Sequence, residues 1–198
     1  MKNQIAVIRI KLLDAPVPIW RRINLNPDIR LDKFHEIIQI VMGWENYHLY
    51  GFRVKNKFYS EIDDDGMMDH AISSDSITLK EIIDSNKKFV YEYDFGDGWE
   101  HEITFNKYIE PVEDVKYPNC VSGKGLCPPE DIGGVWGYGE LLEEAQSPNP
   151  SDEFLETAEH YGYTIEDLKE IEKKALDISS INELLEYLVK ENYKLNQF

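Results

Sequence analysis

Cys120 and Cys127 bracket Gly123-Lys124-Gly125, and Cys127 runs straight into Pro128-Pro129-Glu130-Asp131-Ile132-Gly133-Gly134. Thiols, carboxylates and glycines this close suggest metal, nucleophile or anion chemistry. Six residues separate the two cysteines, wider than the two to four of a zinc knuckle. The residue types allow a Cys2His set completed by His48 or His101, but no metal and no cofactor is read from the pattern. Glu130 and Asp131 beside Cys127 raise a thiol pKa rather than lower it, which disfavours a nucleophile. Gly-Lys-Gly lacks the length and the Lys-Ser/Thr end of a phosphate loop. The structural reading is a rigid Pro-Pro turn that opens a helix, with its acids near the helix N-terminus.

A second set lies between Phe89 and Phe105. The turn Gly96-Asp97-Gly98 with a three-residue loop pairs Phe95 with Trp99, Tyr93 with His101, Tyr91 with Ile103 and Phe89 with Phe105. That register puts the aromatics on one face. On the other it sets Asp94 opposite Glu100 and Glu92 opposite Glu102, like charges that need an offset. A basic residue from segment 1–60 is the expected counter-charge. In Ile19-Trp20-Arg21-Arg22-Ile23, one arginine must share a face with apolar side chains. A buried guanidinium is expected to take a carboxylate; the sharper reading is a fork for a substrate carboxylate or phosphate.

The elements that position these groups follow from hydrophobic period and turn residues. Segments 5–12 and 19–25 read as a strand pair, and 49–55 as a third strand. Residues 31–42 read as an amphipathic helix capped by Gly43. Residues 61–76 read as an acidic loop, and 111–134 as largely irregular. Helices are expected over 78–83, 137–146 and 152–160, from Thr164/Asp167, and from a Ser180/Glu183 capping box. The fold class is α+β: a mostly antiparallel sheet with one N-terminal helix packed on it and a helical C-terminal third. The domain reading is a single unit, 1–198, sheet-rich over 1–134 and helical over 135–198.

Charge bounds the partners. The chain of 198 residues carries a net charge of −17, as +5 over residues 1–60 and −22 over the remainder. Such a polyanion is repelled by nucleic-acid backbones and anionic membranes. Two cysteines make no disulfide framework, the apolar start is broken by Arg9 and Lys11, and no apolar run is long enough to span a bilayer. The expectation is a soluble cytoplasmic protein with free thiols.

Several segments occur together in an order that resembles one family. They are 19–23, Phe34-His35 through Gly43-Trp44, His48-Leu49-Tyr50-Gly51-Phe52, Tyr91 through His101, and Cys127 through Gly134. The chain resembles the plasmid open-reading-frame-three-like family, named from a root-inducing plasmid and associated with mobile elements. The resemblance implies a single α+β domain without an established activity. Its members have been likened to a passenger protein of an insertion element, but no recombinase signature is present, so recombination is not carried over. The motif positions it offers as a candidate ligand-binding site are Arg21, His48, Asp94, Asp97, Trp99, His101, Cys127, Glu130 and Asp131. The leading expectation is a binding or regulatory module with a polar cleft near Gly96–Gly98 and Cys127–Asp131, serving a protein or small-molecule partner. The alternatives are a hydrolase or metal-assisted enzyme using His101, Asp94 and Cys127, and an acidic decoy that mimics nucleic acid.

Overall fold

A computed structural model describes residues 4–62 and 70–195, with side chains as far as Glu191. Its strands are β1 (Ile5–Leu12), β2 (Trp20–Leu25), β3 (Tyr50–Val54), β4 (Lys57–Ser60), β5 (Ile72–Ser73), β6 (Lys88–Tyr93), β7 (Trp99–Ile109) and β8 (Asn119–Lys124). They form one eight-stranded sheet in the order β5-β4-β3-β6-β7-β1-β2-β8. The β4–β5 pair is parallel and the other pairs are antiparallel. The helices are α1 (Leu31–Met42), α2 (Leu79–Ile83), α3 (Gly134–Ala145), α4 (Asp152–His160), α5 (Ile165–Lys169) and α6 (Ile178–Leu195). This is the expected α+β architecture. Part of the predicted acidic loop, residues 63–69, lies outside the described residues.

The apolar stripe of α1 sets how it sits on the sheet. Leu31, Phe34, Ile37, Ile38, Val41 and Met42 are buried, and Phe34 stacks on Phe52 of β3 at 5.9 Å. Gly43 ends the helix at φ 94°, where a side chain would be strained, and its N–H donates to Gln39 O.

The β6–β7 hairpin keeps the expected faces but not the expected register. Tyr93 pairs with Trp99, Tyr91 with His101 and Phe89 with Ile103, so the connection is Asp94–Gly98 rather than Gly96–Gly98. Asp94 leaves the strand because its side chain offers an alternative: Oδ1 accepts from Gly96 N at 3.0 Å, and its φ of 53° is left-handed. A shift by two residues preserves which side chains face the core. Phe95 is thereby lost from the ladder and stands 37% exposed. The like-charge pair becomes Glu92 against Glu100, and Arg53 of β3 bonds to both carboxylates. That is the offset expected from segment 1–60.

Two further expectations change. The helix start at Ser180/Glu183 gives way to Asp177, whose carboxylate accepts from Ser180 N at 3.0 Å and Ser180 Oγ at 2.8 Å. The helix gains a turn because a carboxylate caps its N-terminus as well as a serine does. The irregular 111–134 stretch contains β8, which pairs with β2 around a register shift between Arg22 and Ile23. As an edge strand β8 exposes backbone groups. The Asn182 amide of α6 covers them, accepting from Cys120 N at 2.7 Å and donating to Cys120 O at 3.0 Å.

Arg21 is buried, as its strand face required, yet it donates its hydrogen bonds to carbonyls rather than to a carboxylate. Nε donates to Val41 O at 2.6 Å, and Nη1 donates to Trp20 O and Lys124 O, each at 3.0 Å. Val41 O lies in the last turn of α1, where unpaired carbonyls gather partial negative charge. One guanidinium fork therefore ties α1, β2 and β8 together. Arg21→Lys keeps a positive charge but loses the fork. It should lower unfolding free energy by roughly 2–4 kcal/mol in urea titrations. A change within experimental error would show that the fork carries no stability.

Candidate functional site

The end of the sheet near Tyr93 gathers three connections: the 43–49 loop after α1, the 94–98 turn and the 127–133 loop before α3. Burial of an aromatic hydroxyl forces this meeting, because such a group must find partners. Tyr93 is fully buried and its hydroxyl donates to Glu130 Oε1 at 2.5 Å. It also accepts from Tyr47 N at 3.0 Å and His48 N at 3.3 Å. Burial, with the neighbouring Glu130 acceptor, pushes the phenol well above its usual pKa, so it stays a donor. Glu130 Oε2 accepts in turn from Glu45 N at 3.0 Å.

Other contacts press the 127–133 loop onto the same surface. Trp44 Nε1 donates to Pro128 O at 3.1 Å, and Gly133 N donates to Asp97 Oδ2 at 3.2 Å. The approach is close enough that a Cβ on Gly134 would lie 2.2 Å from Asp97 O. Glycine is therefore required at that position by space as well as by its φ of 67°.

On this platform His48, Asp94 and Asp131 converge. His48 Nε2 lies 3.2 Å from Asp131 Oδ1 and 3.7 Å from Asp94 Oδ2. The nitrogen is shielded from solvent, and neither carboxylate meets it in hydrogen-bond geometry. Asp94 is buried, whereas the Asp131 side chain is 71% exposed, so the group opens outward through Asp131. Asp94 and Asp131 both hold left-handed backbone, φ 53° and 59°. Aspartate tolerates that region better than most side chains because its carboxylate can bond to nearby backbone. On its other flank His48 helps to line a cleft of about 560 Å³ with Asp32, His35, Asn46 and Tyr50.

The remaining expected residues support this group from below or lie apart from it. Asp97 and Glu130 hold loops. Trp99 and His101 are fully buried, with His101 in ring contact with Trp44 and Tyr91. Cys127 is half-buried and free, and burial pushes its thiol up against the pull of Arg21. Cys120, also free, is raised by burial too. The triad of His101, Asp94 and Cys127 is thus not presented to solvent as a set. Tyr93, the residue that organises the site, was read from sequence only as a core aromatic. The usable signal was tyrosine where phenylalanine would pack equally well.

A family model described as plasmid pRiA4b ORF-3-like protein matches residues 4–174. The chain belongs to that family. This pRiA4b ORF-3-like chain is 35% identical over 187 residues to the uncharacterized protein y4hQ of Sinorhizobium fredii (strain NBRC 101917 / NGR234), with 92% of each covered. It is also similar to a crystal structure of a protein of unknown function, MM3350 from Methanosarcina mazei Go1. That match has a TM-score of 0.68 and 32% identity, covering 82% of this chain and 92% of the other. The family match ends before α6, the helix that covers the β8 edge.

Two buried imidazoles give this pRiA4b ORF-3-like chain an acid limit. Burial holds His101 down at about 3 and His35 at about 4, against 6.5 unperturbed. Both are neutral in the folded chain and gain a proton on unfolding below pH 6.5. The stability they support is complete above pH 6.5 and is lost as pH falls toward 4 and then 3. At pH 4 each contributes a loss of roughly 3 kcal/mol. His101→Leu should flatten the acid limb of a stability–pH curve by about that amount. A curve parallel to the parent's would contradict this.

Proposed function

We propose that this protein is a ligand-binding module whose recognition site is the polar cleft around His48, Asp94 and Asp131, at the meeting of the 43–49, 94–98 and 127–133 loops. The observation that carries the reading is the convergence of His48 Nε2 on two carboxylates from distant parts of the chain, at 3.2 and 3.7 Å. His48 also borders a cleft of about 560 Å³, lined by α1, the 46–50 stretch, residues 61–62 and residues 73–75 rather than by the 94–98 or 127–133 loops, and that volume falls in the range that small molecules occupy. The module works as a single domain in the cytoplasm with its thiols reduced. No described helix is long and apolar enough to cross a membrane. Net charge of −17 argues against direct nucleic-acid contact.

A hydrolase built on His101 and Cys127 has less support, because one group is buried in the core and the other is held as a protonated thiol. Amide hydrogen exchange on adding a small-molecule cell extract tests the binding reading. Protection should rise at 46–49, 94–98 and 130–133, and Asp131→Ala should abolish the rise. Protection elsewhere, or none, would contradict it. Mass spectrometry of the extracted ligand then names its class.

A further inference from the structure

We infer that His48, Asp94 and Asp131 form a site for a divalent first-row transition cation, a proposal that rests on the cleft reading above and gives it a chemistry. The ligand atoms of the three side chains all lie within 4.8 Å of one another. Donors bound about 2.1 Å from one zinc ion stand about 3.0–3.4 Å apart. His48 Nε2 and Asp131 Oδ1 are already at 3.2 Å, and Asp94 Oδ2, 3.7 Å from the nitrogen, would close in on the ion when it binds.

A cation explains what the protein groups leave unsatisfied. His48 Nε2 is shielded from solvent and points between two carboxylates without hydrogen-bond geometry to either. A lone pair aimed at a metal needs no such alignment. Asp94 is fixed by Gly96 N through Oδ1, which leaves Oδ2 for the ion. The third ligand, Asp131, is the exposed one, so the coordination sphere opens to solvent and keeps positions for water or a ligand's oxygen.

One imidazole with two carboxylates is a borderline-to-hard donor set. It suits Zn²⁺ or Mn²⁺ better than the softer ions that thiolates select, or the all-oxygen cages of Ca²⁺. The cysteines play no part. Tyr93 is the positioning residue: its hydroxyl holds the His48 backbone and, through Glu130, the neighbour of Asp131.

The test uses tag-free full-length protein stripped with chelator. Calorimetric titration with ZnCl2 should give one equivalent bound with a Kd below roughly 10 µM, and MnCl2 should bind more weakly. CoCl2 should give visible d–d bands without the near-ultraviolet charge-transfer band of a thiolate ligand. His48→Ala and Asp131→Ala should each weaken zinc by roughly 100-fold or more, and Tyr93→Phe by about 10–100-fold. Cys127→Ser should bind as the parent does. Asp131 is exposed but holds left-handed backbone, so Asp131→Asn, which tolerates that φ, should melt as the parent does while weakening zinc, and it isolates ligand loss from unfolding. Absence of binding, zinc affinity unchanged in Asp131→Ala, or a thiolate band would each overturn the cation site. If the extract still protects the three loops in that case, the cleft reading survives and the cation alone falls. Loss of both results removes both.

Discussion

The hydroxyl of Tyr93 is the constraint from which the site follows. It is a single group with one proton and two lone pairs. All three are used: it donates to Glu130 and accepts from the backbone N–H groups of Tyr47 and His48. A buried hydroxyl with unmade bonds is costly, so the loops that satisfy it have little freedom to drift. The bond to Glu130 ties the ring to the 127–133 loop. Trp44 stacked on Tyr93 at 5.0 Å keeps the ring in place and reaches Pro128 with its own N–H. The loops held this way carry Asp94 and Asp131, whose carboxylates lie 3.7 and 3.2 Å from His48 Nε2.

Charge is managed differently in the core and on the sheet surface. Arg21 is buried with carbonyl oxygens as its bonded partners, which avoids burying an opposite charge beside it. Arg53 sits at the sheet face, where partial solvent contact lets it join Glu92 and Glu100. The basic first third and the acidic remainder thus meet across β3, β6 and β7. Some other pairs are local, such as Lys174 with Asp167 and Lys173 with Glu170, while Lys116 reaches Glu186 of α6.

What could be read from sequence was local and periodic. The α1 stripe with Gly43, the Thr164/Asp167 capping box and the shared face of Tyr91, Tyr93, Trp99, His101 and Ile103 all depend on neighbours within a turn or a strand pair. The register of the hairpin did not, because the Asp94 side chain competes with the ladder and no period records that competition. β8 escaped because it is short, contains Gly123, and owes its place to β2 and to Asn182. His48, Asp94 and Asp131 each stood in a motif that resembles the family. That the three would share one point could not be read, since positions 48, 94 and 131 meet only through the sheet order and the Tyr93 bonds. Asp97, Glu130 and Trp99 were counted with them, and their work is to hold loops and fill the core.

The site is assembled from loops already tied together by hydrogen bonds. Its dependence on one hydroxyl can be measured by a double-mutant cycle of Tyr93→Phe and Glu130→Gln, read as unfolding free energy at neutral pH. Neither substitution changes side-chain volume much, so packing contributes little to the difference. The account predicts that the two losses are strongly non-additive, with a coupling of roughly 1–3 kcal/mol. Additive losses, with coupling near zero, would contradict it and leave the meeting of the three loops without its cause.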